Sequence, residues 1–128
     1  MKLLTFEKNG RQSVGASVSE GIVGLTQALK ATHPGVSDAG SVLSIIQSGM
    51  DIDAIGEESL SRLRKSGDLA RHLVTDFRWL PPILRPPKIL ALALNFQEHI
   101  DETKLSFFNE PIVFAKYACN MLAHEEEI

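Results

Sequence analysis

The chain has 128 residues, 44% hydrophobic and 23% charged, with a formal net charge of −3. That is the composition of a folded globular chain, with length for one ordinary domain or for one small domain and part of another. Thirteen basic against 16 acidic residues, 6% aromatics and a single cysteine leave no basic stripe for nucleic acid and no disulfide framework.

In chain order, "MKLLTFEKNGRQSV" has no long apolar stretch of the secretory type, and no apolar run in the chain approaches a membrane span. The expected compartment is therefore the reducing cytoplasm. Asn9-Gly10 stands between the strand-like runs "KLLTFE" and "QSVGASV". Both residues tolerate positive φ, so the spacing predicts a hairpin. "GIVGL", after a turn at Ser19–Gly21, predicts a third strand of a small meander. A short helix is expected over "TQALKAT", ending before His33-Pro34-Gly35. Ser37 or Asp38 can cap a second helix through "AGSVLSIIQS", with Val42, Leu43, Ile45 and Ile46 as its apolar face and Gly49 where a left-handed C-terminal residue belongs. A third helix is expected over "EESLSRLRKS", with Leu60 and Leu63 facing inward and Gly67 as its stop. "LARHLV" fits helix or strand. "WLPPILRPP" is neither helix nor central strand, because proline lacks an N–H and restricts the residue before it. It reads as an extended connector. "KILALAL" beyond it reads as a strand buried on both faces, and "PIVFAKY" as another. Between them "FQEHIDETKL" has length for one or two helical turns.

His99 and Glu102 are three residues apart, on one face if that segment is helical. A carboxylate beside an imidazole fixes its tautomer and stabilises its protonated form, which suits a general base. The same spacing also describes an ordinary exposed ion pair worth at most about 1 kcal/mol. Asn95 ends the apolar run, where scaffolds present functional groups, and is equally a helix N-cap. Lys116, late in its strand, is either a carboxylate-binding cation or an exposed lysine. His33 and His72 receive no role. His124 beside Glu125-Glu126-Glu127 is a poor ligand set, since consecutive side chains of an extended chain alternate in direction. The three glutamates read as a solvated tail, and Cys119 as a packed thiol.

Taken together, "RPPKILALALNFQEHIDE" and "EPIVFAKY" resemble the fumarylacetoacetate hydrolase family. The family pattern is a proline-rich approach, a K-I strand, L-N-Y-x-x-H-x-x-E, then E-P-x-x-F-x-K-P. It matches here at Pro87, Lys88, Ile89, Leu94, Asn95, Phe96, His99, Glu102, Glu110, Pro111, Phe114 and Lys116. Three positions depart: Ala93 stands for the usual glycine, Tyr117 for the proline after the lysine, and "NMLAHEEEI" lacks the Gly-Pro turn. The resemblance implies an α+β chain in three parts: a small N-terminal α/β domain over 1–79, the connector over 80–87, and over 88–128 the first strands and lid helix of a mixed β-sandwich or roll catalytic domain, incomplete at its C-terminus.

It also implies chemistry. Family members act on 2-oxo and β-keto acids such as acylpyruvates, by C–C hydrolysis, decarboxylation or isomerisation. They use Mg²⁺ or Mn²⁺ as a Lewis acid on the substrate oxygens. His99 would be the water-activating base and Glu102 its orienting partner. Asn95 and Lys116 would contact substrate. The metal ligands, an E-x-E pair and a later acidic residue, are expected downstream of Ile128, so no residue of this chain is assigned to the metal. The full-length protein is expected to be a homodimer with a small-molecule substrate and with neither nucleic acid nor membrane as partner. The alternatives are a non-catalytic truncated chain or interaction module, and an unrelated α+β binding domain.

Overall fold

The computed structural model describes residues 1–36, 39–93 and 110–127. Among the described residues it is mixed α/β, with two antiparallel sheets and four α-helices, and the chain divides into two compact units. One comprises Met1–Leu84 with Leu122–Ile128, the other Arg85–Met121.

The first unit starts with the expected hairpin. Strands β1 (Lys2–Lys8) and β2 (Arg11–Val18) pair in register from Lys2–Ser17 to Lys8–Arg11. Asn9 at φ 52° and Gly10 at φ 71° give the two left-handed residues that match the strands' twist. Strand β3 (Gly21–Gly24) adds to β2. Strand β4 (Arg78–Leu80) adds to the other edge, giving the order β3-β2-β1-β4. The sequence reading missed β4, because its Trp79-Leu80 end runs straight into prolines. An edge position resolves the conflict: a following proline has no ladder bond to break there. Thr5 Oγ1 donates to the Pro82 carbonyl at 2.8 Å, and Ile83 packs on the core. The start of the proline-rich stretch is thus fastened to this unit.

Alternation along the strands decides where the core lies. Val14 and Ala16, both fully buried, face the helices. Helix α1 (Leu25–Thr32) follows β3 directly. Its Leu25 and Leu29 meet them, while Ala28 turns to a second cluster with Val23, Leu60 and Leu63. Helix α2 (Val42–Ser48) begins later than expected. Ser37 and Asp38, the anticipated caps, lie outside the described residues. The cap is Ser41, whose Oγ accepts from Ser44 N while Ser44 Oγ accepts from Ser41 N, both at 3.0 Å. Two serines thus reproduce the reciprocal capping box. Val42 and Ile45 are buried, but Ile46 is exposed, so the inward stripe is narrower than four residues.

Helix α3 (Ile52–Ser66) starts five residues before the predicted segment, because Asp51 accepts from Ala54 N at 3.0 Å. Gly49 at φ 66° and Gly67 at φ 78° end α2 and α3 as the sequence indicated. Fully buried Ser59 meets Thr32 Oγ1 at 2.7 Å, satisfying a hydroxyl in the α1–α3 seam. "LARHLV" proves to be both elements: a one-turn helix α4 (Leu69–His72), then Leu73 bridged to Val23.

In the second unit, β5 (Ile89–Leu92) pairs antiparallel with β6 (Val113–Lys116). Each is the other's partner in a two-stranded sheet. The expectation of burial on both faces is corrected. Leu90 is 65% and Leu92 50% exposed, and no described residue of this unit is buried.

Candidate active-site ribbon

The β5–β6 ribbon carries the motif. Its register is Ile89–Lys116, Leu90–Ala115, Ala91–Phe114 and Leu92–Val113, and Ala93 N donates to the Ile112 carbonyl at 2.9 Å. Leu92 and Val113 thus form the end of the ribbon nearest in sequence to residues 94–109. Asn95, His99 and Glu102 all belong to that segment and lie outside the described residues.

Lys116 is described. It sits at the opposite end of the ribbon, roughly 10 Å along the strand from Val113 at the usual rise per residue. Two-residue alternation puts it on one face with Phe114, and its Nζ lies 5.9 Å from that ring's centroid. An exposed cation over an aromatic face gains about 0.5–1 kcal/mol, so the ammonium is directed back along β6. The described residues place Lys116 without bringing it to another predicted site residue. Cys119, expected to be packed, is exposed in a 3-10 turn over Ala118–Asn120.

Electrostatics elsewhere are structural. Arg64 donates from Nε and Nη2 to the two Glu20 carboxylate oxygens at 2.7 and 2.9 Å. With help from Ser19, this bidentate bond pulls the Glu20 carboxyl down to about 2. Hydrogen bonds from Arg62, then His33, lower Glu58. Hydrogen bonding to Asp53 raises the N-terminal ammonium. A carboxyl serving as a general acid needs its pKa raised, and both of these are lowered, so Glu20 and Glu58 read as links between elements. His33 belongs to the same network, with Nδ1 3.0 Å from Thr32 Oγ1 and Nε2 3.4 Å from Glu58. His124 packs edge-to-face on Trp79 at 5.0 Å. Glu126 accepts from Ala123 N at 2.8 Å, so the acidic run is partly tied down. Among the described residues no group of three or more His, Cys, Asp or Glu side chains could hold a metal ion. These residues do not fit the Mg²⁺ or Mn²⁺ that the resemblance implies.

No family model matches the chain. Similar proteins include a human mitochondrial oxaloacetate tautomerase, 30% identical over 77 residues, which are 57% of this chain and 24% of that protein. A Xenopus laevis mitochondrial oxaloacetate tautomerase is 28% identical over 76 residues, 58% and 24% of the two chains. A Pongo abelii fumarylacetoacetate hydrolase domain-containing protein 2 is 29% identical over 77 residues, 57% and 24%. The chain is thus similar, over part of its length, to fumarylacetoacetate hydrolase domain-containing proteins, in agreement with the resemblance of its motif. It spans about a quarter, 24%, of the length of these relatives. Within the family frame, the ribbon is the strand pair that brackets the H-x-x-E segment. The N-terminal unit is the part whose sequence carries no family motif.

Proposed function

We propose that this chain supplies the N-terminal domain and the first strand pair of an enzyme acting on a 2-oxo or β-keto acid, with His99 as base and Glu102 as its orienting carboxylate. The observation that carries the reading is the ordered run Asn95, His99, Glu102, Glu110-Pro111, Phe114, Lys116, flanked by two strands that pair with Leu92 opposite Val113. Two reactions begin with such a base. In C–C hydrolysis of an acylpyruvate it takes a proton from water. In keto–enol tautomerisation it takes a proton from the carbon beside the oxo group, and a proton is returned to oxygen. The naming of the similar proteins as oxaloacetate tautomerases favours the second for this chain. Lys116 is assigned to the substrate's charge and Asn95 to the mouth of the site. The described residues offer no ligand set for a divalent ion, so the chemistry assigned here is confined to the chain's own side chains.

The test uses the native polypeptide that carries this chain. Enol–keto conversion of oxaloacetate and pyruvate release from an acylpyruvate are followed with wild type and His99→Ala, with circular dichroism as the control for folding. The expected result is a loss of about 100-fold or more in the variant, the usual contribution of a positioned base. Wild-type rates in the variant would remove His99 from the mechanism. Inactivity of the wild type on both substrates would remove the substrate class.

A further inference from the structure

The segment Leu73–Phe77 runs from the edge of β3 to the sheet face turned away from Val14 and Ala16. Leu73 is bridged to Val23, and Val74 N donates to the Ile22 carbonyl at 2.8 Å. Thr75 O accepts from Lys8 Nζ, and Phe77 meets Phe6 at 5.5 Å. Between this segment and the β1–β2 hairpin is a cavity of about 560 Å³, a size suited to a small organic molecule.

Its lining holds three cations, Lys8, Arg11 and Arg71, and no carboxylate, in a chain whose net charge is −3. Lys8 and Arg11 stand directly opposite each other in the ladder, and like charges so placed repel. Arg71 is paired with Asp68 at 2.8 Å. The Arg11 side chain has no hydrogen-bond or ion-pair partner among the described residues. Helix α1 also starts here. Gly24, Thr26 and Gln27 line the cavity, the cap residue Gly24 contributes no side-chain bond, and the first turn has no acidic residue. The helix's partial positive charge is therefore left for another anion. His72 is part of the wall, and its Nδ1 is buried with no partner, an arrangement native interiors rarely leave unexplained. Phe6, Leu73 and Val74 supply the apolar side.

We propose that this cavity binds a small organic anion: a carboxylate or phosphate group held by Arg11 and Lys8, carried on a flat apolar body that lies against Phe6 and Val74. The anion relieves the Lys8–Arg11 repulsion, and the apolar wall selects its body. The inference concerns the N-terminal unit and does not depend on the assignment of His99.

The test is a titration of the isotope-labelled chain, observed through backbone amide resonances, with benzoate, phenyl phosphate and the neutral isostere benzamide. Benzoate or phenyl phosphate should shift the amides of Lys8–Ser13, Gly24–Gln27 and His72–Val74 saturably, the tighter of the two identifying the preferred head group. Benzamide should not. Arg11→Gln and Lys8→Gln should each weaken binding about tenfold, as expected for loss of a charge-assisted bond. Lys65→Gln, which makes the same charge change on α3, should leave it unchanged. Absence of saturable shifts up to about 10 mM, equal response to benzamide, or unaltered affinity in a folded Arg11→Gln would overturn the proposal.

Discussion

The two units differ in what they hold: one the buried core, the other the sequence motif. Met1–Leu84 with Leu122–Ile128 holds both core clusters, yet its sequence carries no family motif. Arg85–Met121 carries the motif and buries none of its described residues. A segment under about 40 residues seldom encloses a core, and a lone two-stranded ribbon is marginal in water. The part of the chain most readable for function is thus the part least able to hold its own shape. Recognition rests on which side chains stand at which spacing, while stability rests on how much surface leaves water.

Substitutions can break this contrast or sharpen it. The largest effect is expected for Leu60→Ala. Leu60 is 1% exposed in the cluster between α1 and α3, so its truncation should cost about 2–5 kcal/mol. Leu90→Ala on the ribbon should change stability by no more than about 0.5 kcal/mol. Urea unfolding of both variants measures the pair. Equal losses would mean that the ribbon contributes a buried face to the cooperative unit, and the contrast would fail. A smaller effect is expected at the α2 cap: Ser41→Ala removes the Ser41 Oγ that accepts from Ser44 N, leaving the backbone bond from Ser41 N to Ser44 Oγ, and should lower the unfolding free energy by about 1 kcal/mol. An unchanged urea midpoint would show that the Ser41 hydroxyl contributes nothing to holding α2.

The smallest effect concerns Glu20 and Arg64, whose side chains are partly exposed. The Glu20 carboxyl is held at about 2, below its ordinary 4.5. The pair's contribution is therefore fully present above that ordinary value and is lost as pH falls toward 2. In Arg64→Ala the carbon-detected titration midpoint of Glu20 should return toward 4.5. A midpoint still near 2 would assign the shift to Ser19 and the local backbone instead.

What was legible in the sequence follows the range of the interaction that decides it. The Asn9-Gly10 hairpin and the stops at Gly49 and Gly67 depend on backbone conformations that few residues tolerate, and single positions reveal them. The α2 cap was misplaced because Ser37, Asp38 and Ser41 offer the same local chemistry, and only packing of Val42 and Ile45 chooses among them. Strand β4 was missed because its evidence is its pairing with Thr5–Glu7, far away in the chain. "KILALAL" misled in the other direction: a continuous apolar run signals burial only when something covers it, and the run itself does not say what. At the candidate site, Asn95, His99 and Glu102 lie outside the described residues. Lys116 falls on a strand as expected, at the end of the ribbon away from the departing segment. The basic cavity escaped notice because Lys8 and Arg11 read as ordinary turn-flanking charges until the register sets them opposite each other, and because Arg71 and His72 reach them only through the Leu73–Phe77 segment.

The contacts of residues 122–127 have a consequence in chain entropy. His124 packs on Trp79, and Arg78 approaches Glu126 at 3.7 Å, which joins two points on either side of Arg85–Met121. Everything between them becomes a closed loop, and β5–β6 pairing closes a second loop inside it. The cost of closure grows only as the logarithm of length, so joining the outer points spares the inner closure about 0.5 kcal/mol. That small saving reaches the ribbon from an edge-to-face contact elsewhere in the chain.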